Sequence, residues 1–86
     1  MKYKLKKGVS LENIEDNLIL VTDNGDTAIL NDIAGDILSW VIDDTDSDII
    51  IDNIAEEYKE VDRNVIQADV DDLLFELSEK EFLELY

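Results

Sequence analysis

The sequence predicts an α+β domain: an N-terminal three-stranded antiparallel sheet followed by three helices. Up to residue 30 the apolar residues fall in short runs separated by Asp, Asn and Gly, the punctuation of hairpins. Beyond residue 31 they recur at three- and four-residue spacing, the period of helices packed on one face. Between the two lies Thr27-Ala28-Ile29-Leu30-Asn31-Asp32-Ile33, where a strand runs directly into a helix capped by Asn31. That junction makes the strand short and leaves it last in its sheet, with an unpaired edge able to accept a peptide. The 86 residues make one small domain with no Cys, so its core must hold without disulfides or thiolate metal sites.

Among the strands, Val9, Leu11 and Ile14 alternate loosely up to Asp16-Asn17, which reads as a two-residue turn. Leu18 to Val21 are continuously apolar. In Asp23-Asn24-Gly25-Asp26, Asn-Gly supplies the two positive-φ positions of a type I′ hairpin, joining a strand over 18–23 to one over 26–30. The meander then occupies residues 9–30, preceded by a basic arm over 1–8.

Asn31 starts the first helix, with Asp32 and Asp36 near the positive end of its dipole. Its apolar face is Ile33, Ile37, Leu38, Val41 and Ile42, with Trp40 to one side, and the polar run 43–48 ends it. Gly35 inside a helix costs about 1 kcal/mol relative to Ala, which points to another element packed closely there or, more plainly, to relief of crowding within the core. A second helix is expected over about 50–60, with Ile50 or Ile51, Ile54, Ala55 and Tyr58 inward, broken at Val61-Asp62. Asp62 caps a third helix over about 63–80 with Ile66, Val70, Leu73 and Leu77 as its core stripe. Phe75 falls nearly opposite that stripe, so either it meets a partner or the apolar tail over 81–86 covers it. Three strands and three helices in this order describe a winged helix-turn-helix-like domain with its sheet at the N-terminus.

The net charge of −16 is unevenly distributed. Lys2, Lys4, Lys6 and Lys7 precede Gly8 without an acidic neighbour, whereas from Val9 onward 23 carboxylates face Lys59, Arg63 and Lys80. Such a body repels phosphate, which argues against nucleic acid as a partner. It attracts a basic peptide, and less so at high salt. Solubility alone also accounts for acidity. An acidic mimic of nucleic acid would want an extended carboxylate surface rather than an apolar Ala28-Ile29-Leu30 edge. No window approaches the about 20 apolar residues of a membrane span, and no apolar run of a secretory signal follows the charged start. The expectation is a cytoplasmic chain with no membrane partner.

Catalytic chemistry finds little support. There is no His and no Cys, and Gly8, Gly25 and Gly35 are too scattered for a phosphate loop. A carboxylate base would need burial or a close like charge, and Asp43-Asp44 and Asp71-Asp72 have the character of solvated runs. Asp44-Thr45-Asp46-Ser47-Asp48 imitates the opening of a calcium loop, but Ile49 stands where Gly is needed and Ala55 where the bidentate Glu belongs. No enzyme, metal or cofactor is therefore expected. An acyl or peptidyl carrier protein is the alternative, with a phosphopantetheine arm on Ser47. Asp48 directly after that serine and the Asn-Gly hairpin both depart from the carrier pattern.

The Leu30-Asn31 junction, the helix ending near Trp40-Val41, Ile54-Ala55-Glu56-Glu57-Tyr58, Ala68-Asp69-Val70-Asp71-Asp72-Leu73-Leu74 and Leu77-Ser78-Glu79-Lys80 together resemble the PqqD-like family. Its members are recognition elements for ribosomally synthesised, post-translationally modified peptides. Glu81 stands where the family commonly has Gly after the third helix, and the 43–48 loop is unusually acidic. The resemblance implies a non-catalytic module that captures the leader segment of a precursor peptide and presents it to a modifying enzyme such as a radical SAM maturase, protease or cyclase. It implies that the leader adds to the third strand, here Asp26, Thr27, Ala28, Ile29 and Leu30, against a wall of Val65, Ala68, Asp69, Asp72 and Leu73. Asp69, Asp72 and Glu76 share one flank of the third helix, where they would pair with Lys or Arg of the peptide. A solvated helix face is the plainer reading of those carboxylates.

Overall fold

In the computed structural model, which describes residues 1–86, the chain order is β1 (Tyr3–Leu5), β2 (Val9–Ile14), β3 (Asn17–Thr22), β4 (Thr27–Leu30), α1 (Asp32–Ile42), α2 (Ser47–Glu57), α3 (Arg63–Glu79) and β5 (Leu83–Leu85). The three-stranded antiparallel sheet followed by three helices is present, with strand order β2-β3-β4. No helix is long and apolar enough to cross a membrane.

The meander differs from expectation in both turns. Glu15 and Asp16 occupy the β2–β3 turn with φ of 52° and 69°, so the two positive-φ residues of a type I′ turn lie one position before Asp16-Asn17. In the β3–β4 hairpin Gly25 has φ +88° and its N–H donates to the Thr22 carbonyl at 3.0 Å, while Asn24 keeps a negative φ. That loop is the three-residue kind, a tight turn followed by one left-handed glycine, rather than type I′.

A second, two-stranded sheet pairs the ends of the chain. β1 and β5 are antiparallel, with Tyr3 opposite Leu85, Lys4 opposite Glu84 and Leu5 opposite Leu83. The supposed basic arm and apolar tail are thus one structural unit. Lys4 meets Glu84 at 3.4 Å and Lys6 meets Glu81 at 3.5 Å, while Phe82 and Leu83 enter the main core. Exposed pairs contribute only about 0–1 kcal/mol each, so the buried Phe82 and Leu83 anchor the tail.

Local signals set the helix starts. Asn31 accepts from the Ala34 N–H at 2.8 Å, Asp46 from Asp48 at 2.9 Å and Asp62 from Asn64 at 2.8 Å. The Asp46 cap moves α2 three residues earlier than expected. On α1, Ala34, Ile37, Leu38 and Val41 face the core, while Ile33 and Ile42 are 42% and 47% exposed, contrary to the apolar face expected. On α3 the stripe is Ile66, Val70, Leu74 and Leu77; Leu74 is completely buried and displaces Leu73 from the position expected for it. Gly35 does mark a close approach: a Cβ there would lie 2.5 Å from Leu18 Cδ1, so α1 rests against the sheet at that glycine.

Candidate functional site

β4 has one hydrogen-bonded neighbour, β3, so its other edge is free. The Thr22 N–H donates to the Asp26 carbonyl at 2.9 Å, which makes these residues a bonded pair. Bonded and non-bonded pairs alternate along an antiparallel ladder. The register then makes Leu20·Ala28 and Leu18·Leu30 bonded pairs, and Ile19·Ile29 and Val21·Thr27 non-bonded ones. The N–H and C=O of Thr27 and Ile29 consequently point away from the sheet, toward open space. The side chains alternate too: Leu30 enters the core, and Ile29 is 74% exposed.

A cleft of about 330 Å³ runs along this edge, walled by β4 on one side and by Leu73, Glu76, Leu77 and Lys80 of α3 on the other, with Phe82 also lining it. Past Asn31 it continues into a second cleft of about 330 Å³ between α1 and α3, lined by Ile33, Ala34 and Ile37 opposite Asp69, Asp72, Leu73 and Glu76. Ile33, Ile37 and Asp69 are shared in turn with a smaller apolar cavity of about 140 Å³, completed by Ile54, Tyr58, Val61, Ile66 and Val70. The groove therefore offers backbone at one end, a carboxylate flank along its middle and an apolar cavity at its far end. Burial, followed by the nearby Glu57 and Asp36 charges, raises the Tyr58 phenol above its ordinary pKa.

The residues singled out from sequence divide cleanly. Thr27, Ala28, Ile29, Leu30, Leu73 and Glu76 converge on the edge cleft, and Asp69 and Asp72 on its continuation. Asp26 is turned toward β3, its N–H donating to Thr22 Oγ1 at 3.0 Å, and sits beyond the end of the free edge. Val65 and Ala68 are exposed and line none of these clefts: Val65 shares the flank of Asp69, Asp72 and Glu76 but lies one turn nearer the start of α3, and Ala68 is turned toward the solvent side of the helix. Phe75 is 62% exposed, so the tail does not cover it. The α1 wall, Ile33, Ala34 and Ile37, was missed because apolar residues at helical spacing look alike whether they face a core or a cleft.

Ser47 is only 5% exposed, and its N–H donates to the Met1 carbonyl at 2.8 Å. A phosphopantetheine arm has no open serine to occupy there. The acidic 43–48 loop is spent on structure: Asp46 caps α2 and Asp44 accepts the Tyr86 hydroxyl.

An open strand edge facing a helix across a cleft is the layout used for strand addition by peptide-recognition domains. The family model described as coenzyme PQQ synthesis protein D (PqqD) matches residues 17–83, and the chain belongs to the PqqD family. Among solved structures, TbiB1 in complex with the TbiA(beta) leader peptide is similar at 31% identity, with a TM-score of 0.86 over 96% of each chain. Lasso peptide synthetase B1 complexed with the leader peptide is similar in fold at 22% identity, with a TM-score of 0.89 over 99% of this chain and 100% of that one. No curated protein gives a significant match.

Proposed function

We propose that this chain is a non-catalytic peptide-recognition module that captures the leader segment of a ribosomally synthesised precursor peptide by strand addition to β4 and presents it to a modifying enzyme. The observation that carries the reading is the free β4 edge facing α3 across a groove, in a chain 31% identical to TbiB1, whose structure contains a leader peptide.

Magnitudes indicate how such capture would work. The outward N–H and C=O groups of Thr27 and Ile29 offer four backbone hydrogen bonds, each worth about 0.5–1.5 kcal/mol net. Association alone costs about 4–15 kcal/mol, so backbone pairing is insufficient by itself. An apolar side chain seated in the Ile33–Tyr58–Ile66 cavity adds about 1.5–3 kcal/mol, and Lys or Arg of the peptide opposite Asp69, Asp72 and Glu76 adds charge-dependent affinity and speeds encounter. The edge thus tolerates sequence variation, while the cavity and the carboxylates choose among peptides. The module works in the cytoplasm beside an enzyme such as a radical SAM maturase, protease or cyclase.

The test is calorimetry with synthetic leader peptides of candidate precursors. Ile29→Pro removes an outward N–H while leaving the β3 ladder intact, a position where an edge strand accepts proline. Binding should disappear while the fold persists; unchanged binding by a folded Ile29→Pro variant would sink the reading.

A further inference from the structure

The groove beside β4 is electrostatically lopsided. Past Asn31 its wall carries Asp69 and Asp72, neither in an ion pair, and Glu76, whose carboxylate meets the Lys80 ammonium at 2.9 Å. Beyond Thr27 lies a polar cleft of about 370 Å³ where Lys6, Lys7 and Lys80 are matched by Asp23, Asp26 and Glu81. Lys80 lines both this cleft and the edge cleft, so the two adjoin at that residue. The stretch past Asn31 is negative through Asp69 and Asp72, and the stretch beyond Thr27, where Lys6 and Lys7 offset the carboxylates, is nearer balance.

β4 runs from the balanced end toward the negative end, and the sheet is antiparallel throughout. A strand added antiparallel to β4 therefore has its N-terminal flank over Asp69 and Asp72 and its C-terminal flank beside Lys6 and Lys7. The four residues of β4 span about 13 Å at about 3.3 Å each, longer than the Debye length of about 8 Å at physiological ionic strength. Each flank of the peptide therefore feels mainly the charge at its own end.

We propose, building on the strand-addition reading, that the order of charges in the peptide selects the ligand and fixes its direction: Lys or Arg immediately before the strand-forming segment, neutral or acidic residues after it. A peptide of the same composition with its charged flanks exchanged would set its acidic residues against Asp69 and Asp72 and lose its cations to the balanced end.

Two fluorescein-labelled synthetic peptides test this, sharing one alternating apolar centre. One carries Lys-Lys before the centre and Glu-Glu after it, and the other the reverse. By fluorescence anisotropy at about 100 mM salt, where the Debye length of about 10 Å is still shorter than the strand, the Lys-first peptide should bind at least about fivefold more tightly, and the ratio should shrink toward one at about 500 mM. Asp69→Asn with Asp72→Asn should remove the ratio while residual binding persists. Equal affinities, or preference for the Glu-first peptide, overturn the charge order; if that binding is still lost in Ile29→Pro, strand addition itself survives. Binding of both peptides that ignores Ile29→Pro overturns strand addition and the charge order together.

Discussion

The Phe82 N–H donates to the Leu77 carbonyl at 2.9 Å, and one residue earlier the Glu81 N–H donates to Ser78 at 3.1 Å. This bond pair is the Schellman closure of α3, with Phe82 and Leu77 both in the core. It demands a left-handed residue between them, and Glu81 supplies it with φ +67°. The departure from the family's glycine is thus a strained position rather than a different ending.

Glu81→Gly should therefore stabilise the fold. The left-handed conformation costs a non-glycine residue about 1–2 kcal/mol, partly offset by glycine's greater freedom when unfolded. The loss of the exposed Lys6–Glu81 pair matters little. A net gain of about 1 kcal/mol should appear as a higher urea midpoint with an unchanged slope.

Gly35 and Leu18 should be energetically coupled. Ala at 35 gains about 1 kcal/mol of helix propensity but sets a Cβ 2.5 Å from Leu18 Cδ1, so the half-buried leucine must turn aside. Gly35→Ala alone should be near neutral or destabilising. In a Leu18→Ala background it should stabilise by about 1 kcal/mol, and a double-mutant cycle by chemical denaturation measures the difference.

Three consecutive α3 residues should behave in three ways. Leu74→Ala should cost about 2–5 kcal/mol of stability because Leu74 is fully buried, and Phe75→Ala should change stability by less than about 0.5 kcal/mol. Leu73→Ala should fall between them in thermal melts and should be the variant that weakens peptide binding, since Leu73 lines both clefts.

Asp46 should make part of the stability acid-sensitive. The Asp48 N–H, donating to its carboxylate, is the largest influence holding the Asp46 pKa below its ordinary value. A depressed folded-state pKa stabilises the fold above the unfolded value of about 3.9, and that contribution fades as pH falls through the lower folded value. Asp46→Asn keeps a capping oxygen and cannot titrate. Any stability advantage of the native chain over this variant should shrink below about pH 4, followed by melting temperature against pH.

Charge reversal at Asp69 and Asp72 should weaken binding of a basic leader and flatten its salt dependence. Calorimetry at two ionic strengths measures both, and the fold should be unaffected because both side chains are exposed.

The sequence by itself determined what depends on neighbours along the chain: the meander over 9–30, the caps at Asn31 and Asp62, and the brevity of β4, ended where Asn31 bonds Ala34. Alternation, capping and turn chemistry act over a few residues, so they leave legible traces. The tertiary structure alone decided which of Leu73 and Leu74 is core, because adjacent helix positions differ by about 100° and packing sets the rotation. It decided that Tyr3 and Leu5 alternate with lysines as a strand, since the partner β5 lies at the opposite end of the chain. It also decided the groove, for a cleft exists where elements fail to touch. Ile33 and Ile37 line it on the same helical period that elsewhere fills the core.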